Sequence, residues 1–129
     1  MRVIIAGSRT ITNYNLLEAV IEDSGFKIEI VISGHARGVD MLGERWAKKH
    51  DLPVLICPAR WDLYGKEAGF KRNQQMVDEA DAVIVLWDGK SKGTRDTLMR
   101  SFTKKIPIYR AVYQVEKYNI LDGNSDGLF

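Results

Sequence analysis

Ala82-Val83-Ile84-Val85-Leu86-Trp87 is an unbroken apolar run, followed at once by Asp88-Gly89-Lys90-Ser91-Lys92-Gly93-Thr94. A short run rich in β-branched residues reads as a strand covered on both faces, the habit of a central strand in a parallel sheet. The glycine-, serine- and lysine-bearing segment behind it reads as a loop that opens a helix. The same pairing occurs twice upstream. Val3-Ile4-Ile5-Ala6 runs into Gly7-Ser8-Arg9, and Ile28 to Ile32 runs into Ser33-Gly34-His35-Ala36-Arg37-Gly38. A further segment of similar composition is Tyr64-Gly65-Lys66-Glu67-Ala68-Gly69, and the four segments hold seven of the eleven glycines. In a chain that alternates strand and helix, such loops emerge at the carboxyl edge of one parallel sheet. Glycine lets backbone N–H groups approach a ligand there, and a helix N-terminus adds partial positive charge. That edge is expected to hold an anion, and a phosphate above all.

Working outward gives five strands and four helices. The strands are Arg2 to Ala6, Ile28 to Ser33, Val54 to Cys57, Ala82 to Trp87 and Pro107 to Val112. Helix one runs from about Asn13 to Ser24 with Leu16, Leu17, Val20 and Ile21 on one face, and Gly25 is its expected C-terminal cap. Helix two spans Val39 to Lys49, with Leu42, Trp46 and Ala47 as its stripe. A loop from Pro58 to Lys66 precedes a helix over Ala68 to Glu79, and the last helix covers Thr94 to Lys104. Residues 1–112 are one domain and 113–129 a polar tail with Asp-Gly turn signals, read as an arm, an edge hairpin or a loose end. Short connections of this kind give right-handed crossovers and a doubly wound open sheet, whose ligand crevice lies where the winding reverses. With strands one and four adjacent at that point, Gly7-Ser8-Arg9 faces the Gly89 to Thr94 loop.

Composition narrows the partners. The chain has 129 residues, enough for one domain that buries about two-thirds of its unfolded surface. A net charge of +2 is too small to imply nonspecific nucleic-acid binding. The single Cys57 excludes an intramolecular disulfide and a cysteine-cluster metal site. No apolar stretch approaches the roughly 20 residues of a membrane span, and Met1-Arg2 leads straight into a strand, so a cytoplasmic protein without a membrane partner is expected. There is no GxGxxG after strand one, and Gly89 to Gly93 lacks the Lys-Ser/Thr pair of a GxxxxGK[ST] loop. His35 and His50 stand without metal-ligand spacing, Met41, Met76 and Met99 are expected to pack, and no metal is expected.

Individual residues carry two readings. Arg9 and Arg37 are surface cations or, at anion-facing loop positions, a rigid fork for phosphate; the second is favoured. Asp40 is a first-turn acid of helix two or a catalytic carboxylate. Trp61 and Tyr64 cover the core edge or wall a base, and Trp87 either packs or stacks at the crevice mouth.

Four linked motifs then carry a resemblance over about Arg2 to Val112. They are Ala6-Gly7-Ser8-Arg9; Ser33-Gly34-x-Ala36-x-Gly38-Val39-Asp40; Pro58-Ala59-x-Trp61-x-x-Tyr64-Gly65-Lys66-x-Ala68-Gly69-x-x-Arg72-Asn73; and Trp87-Asp88-Gly89-x-Ser91-x-Gly93-Thr94. In this order they resemble the YpsA-related branch of the SLOG superfamily. That Rossmann-like group includes the cytokinin-activating lonely guy enzymes and the Rossmann domain of DNA-processing proteins. The resemblance implies a Rossmann-like, mainly parallel five-stranded sheet with helices on both faces. It also implies a nucleotide-derived small molecule as partner, ADP-ribose-like or NAD-related. It adds Lys66, Arg72, Asn73, Ser91, Gly93 and Thr94 to the expected ligand contacts, and no cofactor.

Three functional classes follow. The first is a nucleotide-binding sensor, regulator or sequestering protein. The second is an N-glycosidic hydrolase, which needs a carboxylate to stabilise oxocarbenium character or activate water. The lonely guy relatives carry it in PGGxGTxxE, whereas here Thr97 stands at the glutamate position and the proline–double-glycine start is missing. Asp40, Asp62, Glu67 and Asp88 are the substitute acids. The third is single-stranded nucleic-acid binding, which needs an extended basic and aromatic groove. Helical spacing scatters Lys92, Arg95, Arg100 and Lys104 around the last helix. The expectation is therefore a small-molecule binder with turnover left open, nucleic acid being the less favoured partner and a homo-oligomer left open.

Overall fold

The computed structural model describes residues 1–114. Strands β1 (Arg2–Gly7), β2 (Ile30–Ser33), β3 (Val54–Ile56), β4 (Ala82–Trp87) and β5 (Ile108–Val112) form one sheet in the order β3-β2-β1-β4-β5. Every pairing is parallel, so the sheet is wholly rather than mainly parallel. The helices are α1 (Tyr14–Ser24), α2 (Val39–Lys49), α3 (Trp61–Tyr64), α4 (Ala68–Glu79) and α5 (Lys92–Lys104).

Side-chain alternation along the two central strands builds a core on each face. Val3 and Ile5 of β1 and Ala82, Ile84 and Leu86 of β4 pack against Leu17, Val20 and Ile21 of α1 and Val39, Trp46 and Ala47 of α2. Ile4, Ala6, Val83 and Val85 point the other way, onto Met76 and Val77 of α4, with Leu98 of α5 at the margin. Each buried aliphatic side chain stabilises by roughly 1.5–3 kcal/mol, which is why the central strands show no polar alternation. The winding reverses between β1 and β4, as the apolar runs foretold, and their ends form the crevice.

Caps set the helix bounds. Asn13 is the N-cap of α1, its Oδ1 accepting from Leu16 N–H at 3.1 Å, and Gly25 closes that helix at φ 70°. Ser91 caps α5, so this helix begins at Lys92, two residues before its expected start. β2 begins at Ile30 rather than Ile28, and β3 ends at Ile56, leaving the buried Cys57 in the connection that follows. The Pro58 to Lys66 segment is not simply a loop: it contains α3 and enters a 3-10 turn over Gly65–Glu67. Met76 packs as expected, but Met41 (43% exposed) and Met99 (59%) do not, because no layer covers the outer faces of α2 and α5. Of the tail, Tyr113 N–H donates to Trp87 O at 2.7 Å and Gln114 Nε2 to Asp88 O at 2.9 Å. The rest of the tail, residues 115–129, lies outside the described residues.

Candidate functional site

The crevice floor is made by close backbone approach. A Cβ on Gly7 would fall 1.9 Å from Leu86 O, so only glycine lets β1 end against β4. Gly38 stands at φ 76°, where a Cβ would meet Ser8 O at 2.3 Å; it turns the chain into α2 and lets Val39 N–H donate to Ser8 O at 3.2 Å. Ser8 bolts the two strand ends together. Its N–H donates to Leu86 O at 3.1 Å, and its buried Oγ accepts from Asp88 N–H at 2.8 Å.

Asp88 is a brace as well. Burial pushes its carboxyl up, but the N–H groups of Lys90 and Ser91, at 2.7 and 2.9 Å, and the Ser8 hydroxyl outweigh this and hold it below the usual range. It is therefore ionised near neutrality and unsuited to donate a proton. Trp87 is half-buried, and its Nε1 donates to Ser91 O at 3.1 Å, so it fastens the loop.

Above this floor lies a pit of about 60 Å³, bordered by Gly7, Arg9, Asp40, Arg72, Gly93 and Thr97. One wall is the first turn of α5. There Ser91 Oγ accepts from Thr94 Oγ1 at 3.2 Å, and the macrodipole presents its positive end. A Cβ on Gly93 would meet nothing within 4 Å, so the protein's own packing does not require glycine there. Asn73 is buried and committed: Nδ2 donates to Gly93 O at 3.2 Å and Asp96 Oδ2 at 3.0 Å, while Oδ1 accepts from Arg72 Nε at 2.9 Å. It ties α4 to α5 and aims Arg72, whose Nη1 donates to Gly34 O at 2.7 Å. Burial lowers the Arg72 pKa, Asp40 opposes that, and Arg9 adds like-charge repulsion.

Asp40 is only 6% exposed and borders the pit from α2. Burial pushes its carboxyl up to about 6, against the pull of Ala36 N–H (3.2 Å), the Arg72 guanidinium and Gly7 N–H, while Glu44 adds to the rise. The first-turn acid thus turns back onto the preceding loop, where it holds a protonation equilibrium close to neutrality.

The pit opens into a basin of about 320 Å³ bordered by Arg9, Gly34, Arg37, Trp61 and Arg72. Trp61 is 54% exposed, a free aromatic surface at the basin edge. Ser33 lies behind the basin, fully buried. Tyr64, Lys66 and Glu67 border neither cavity; Tyr64 instead lies under Lys71 Nζ at 4.9 Å, and Glu67 faces a separate hollow with Phe70 and Arg100. Asp62 pairs with Arg60 at the surface. Among the described residues no group of His, Cys, Asp and Glu could hold a metal ion, and no helix is long and apolar enough to cross a membrane.

Sequence reasoning did not count three residues among the expected ligand contacts. Thr97, read only as the residue at the glutamate position, sits in the pit wall, its Oγ1 donating back to Gly93 O at 3.3 Å. His35 and Glu44 meet at the basin, nine residues apart across a loop and a helical turn, a spacing with no local signal.

Residues 1–64 match the family described as YspA, cpYpsA-related SLOG (YAcAr). The "Gene 61 protein" of Mycobacterium phage D29 is similar, with 32% identity over 117 residues, 83% of this chain and 93% of that protein. Among solved structures, DNA processing protein A (DprA) from Streptococcus pneumoniae is similar at a TM-score of 0.69 and 21% identity, over 98% of this chain and 53% of that one. The chain thus spans about half the length of that structure, and at this identity the likeness is one of fold.

Proposed function

The chain belongs to the YspA, cpYpsA-related SLOG family, and on that premise we propose that it binds a phosphate-bearing nucleotide or nucleotide-derived ligand. The observation that carries this reading is the meeting of Arg9 and Arg72 at one pit beside the N-terminus of α5. The Arg9 guanidinium raises the cost of charging Arg72, and an anion held at the pit offsets that cost. The pit takes a phosphate, the basin the remainder of an ADP-ribose- or NAD-like molecule, and Trp61 offers a face for a base. Such a protein acts as a sensor, regulator or sequestering protein. The test is mass spectrometry of co-purifying ligand, followed by thermal-shift screening of adenine nucleotides, NAD and ADP-ribose. At least one should raise the Tm of the wild type, and Arg9→Ala and Arg72→Ala should weaken that binding. Wild-type binding by both variants defeats the crevice assignment.

Asp40 favours a second reading, N-glycosidic hydrolysis. A carboxyl poised near 6 at the pit edge is suited to proton transfer at neutral pH. Thr97 in place of the relatives' glutamate argues against it. Strand binding, suggested by the name of the structural neighbour, draws less support from the described surface. Arg100 is engaged by Asp96 at 2.7 Å and Gln74 at 2.8 Å, and Lys104 Nζ by the carbonyls of Val77, Asp78 and Ala80.

A further inference from the structure

His35 stands at φ 60°, a left-handed conformation uncommon outside glycine. Backbone strain of this kind persists only where the surroundings hold it, and it clusters at functional positions. Here the hold is specific. The N–H of His35 donates to Ser33 Oγ at 3.0 Å, and the Ser33 hydroxyl donates to Glu44 Oε2 at 2.7 Å. The same Oε2 lies 2.8 Å from His35 Nδ1, and the Glu44 side chain is only 16% exposed. A ring whose Nδ1 is engaged by a carboxylate is fixed in orientation, leaving Nε2 as its remaining polar atom.

The ring is half-exposed and borders the basin. The charged groups facing it are Glu44 from α2, Arg37 from its own loop, Arg9 from the loop after β1 and Arg72 from α4. Besides His35, the charged side chains lining the basin are Arg9, Arg37 and Arg72, while Glu44 engages Nδ1 from outside that lining. An anion entering the basin supplies an acceptor for Nε2.

We propose that His35 contacts the ligand directly: its imidazolium donates from Nε2 to an anionic group of the nucleotide in the basin, while Glu44 positions the ring from behind. This rests on the nucleotide-binding reading above. Affinity then depends on the His35 ring itself, and on Glu44 only through that ring. The competing account makes Ser33, His35 and Glu44 a loop brace with no part in binding.

The probe is ADP-ribose, which carries a diphosphate. His35→Asn accepts the left-handed backbone and by calorimetry should raise the Kd about tenfold, the scale of one hydrogen bond to a charged group. Glu44→Gln should weaken binding less than His35→Asn does, and should add nothing in a His35→Asn background. The His35 ring signals in NMR should also move on adding ADP-ribose. A His35→Asn variant that binds ADP-ribose as tightly as wild type, or ring signals that do not respond, overturns the proposal while the nucleotide reading stands. If ADP-ribose binds at no pH and AMP and NAD fail as well, the nucleotide reading falls and this proposal with it.

Discussion

Arg72, in the first half of α4, donates through Nη1 to the carbonyl of Gly34 at 2.7 Å, joining two segments 38 residues apart at the mouth of the crevice. With the Nε bond to Asn73 Oδ1, it ties two of the guanidinium nitrogens to the fold, while the side chain lines the pit beside Arg9. The two arginines should therefore differ when truncated. Arg9→Ala should weaken nucleotide binding by roughly 1.5–3 kcal/mol, the range for a hydrogen bond to a charged group, with folding unchanged because Arg9 is exposed. Arg72→Ala should lose a similar amount of binding and also lower the Tm, since Gly34 O and Asn73 lose a partner. Arg37→Ala, at the outer basin, should cost binding but not stability. Calorimetry and thermal denaturation of the three variants separate these roles.

Gly93 offers a cleaner separation of fold from function. Its absent side chain would meet nothing, and it occupies a helical position in α5, where alanine is favoured over glycine by roughly 0.5–1 kcal/mol. Gly93→Ala should hold or raise the Tm. If the bare backbone is there to let a phosphate approach, the same substitution should reduce affinity several-fold. A variant that is more stable and binds as well as wild type removes the α5 N-terminus from the site.

Asp40 predicts a pH dependence of stability. Its carboxyl is raised from 3.8 to about 6 in the folded protein, so between those values the native state binds more protons than the unfolded chain. Stability contributed by the protonated form is present below 3.8 and lost as the pH rises through about 6. The swing is on the order of 3 kcal/mol at 1.36 kcal/mol per unit. Asp40→Asn keeps the shape without the titration and should flatten denaturation curves across that window. With Thr97 at the glutamate position, wild-type protein should also release no adenine from AMP at enzymatic rates. Catalytic adenine release abolished by Asp40→Asn would transfer the protein to the hydrolase reading.

The sheet was legible because its signals are local. The apolar runs Val3 to Ala6 and Ala82 to Trp87, each closed by a glycine-bearing loop, specify parallel central strands and place the crevice between them. What was not legible depends on long-range packing. Polar residues early in a helix ordinarily face water, and only the approach of α4 to the loop after β2 turns Arg72 inward. Nothing in the sequence separates Trp87 as a loop fastener from Trp87 as a stacking face; Ser91 O, 3.1 Å from its indole nitrogen, shows the fastening. Glu67 shares a motif with Arg72, but the 3-10 turn carries it to another hollow.

Salt dependence separates a small ligand from a nucleic-acid strand. A strand bound along several phosphates releases condensed counterions, so its affinity falls with a log–log slope of about −0.7 per phosphate contact. A compact nucleotide held by Arg9, Arg72, backbone N–H groups of α5 and the Trp61 face should depend only weakly on salt. Arg100 and Lys104, which would extend a basic track along α5, are already bonded to neighbouring groups of the protein. Any oligonucleotide binding should therefore be weak and vanish near physiological salt, measured by fluorescence anisotropy. The cognate small ligand should still raise the Tm under the same conditions. Tight oligonucleotide binding that survives physiological salt and is lost in the Lys90→Ala, Lys92→Ala, Arg95→Ala triple variant would reverse the assignment. Those three exposed cations are next in sequence to Ser91, Gly93 and Thr94 of the pit wall, so a strand that needed them would have to pass the first turn of α5.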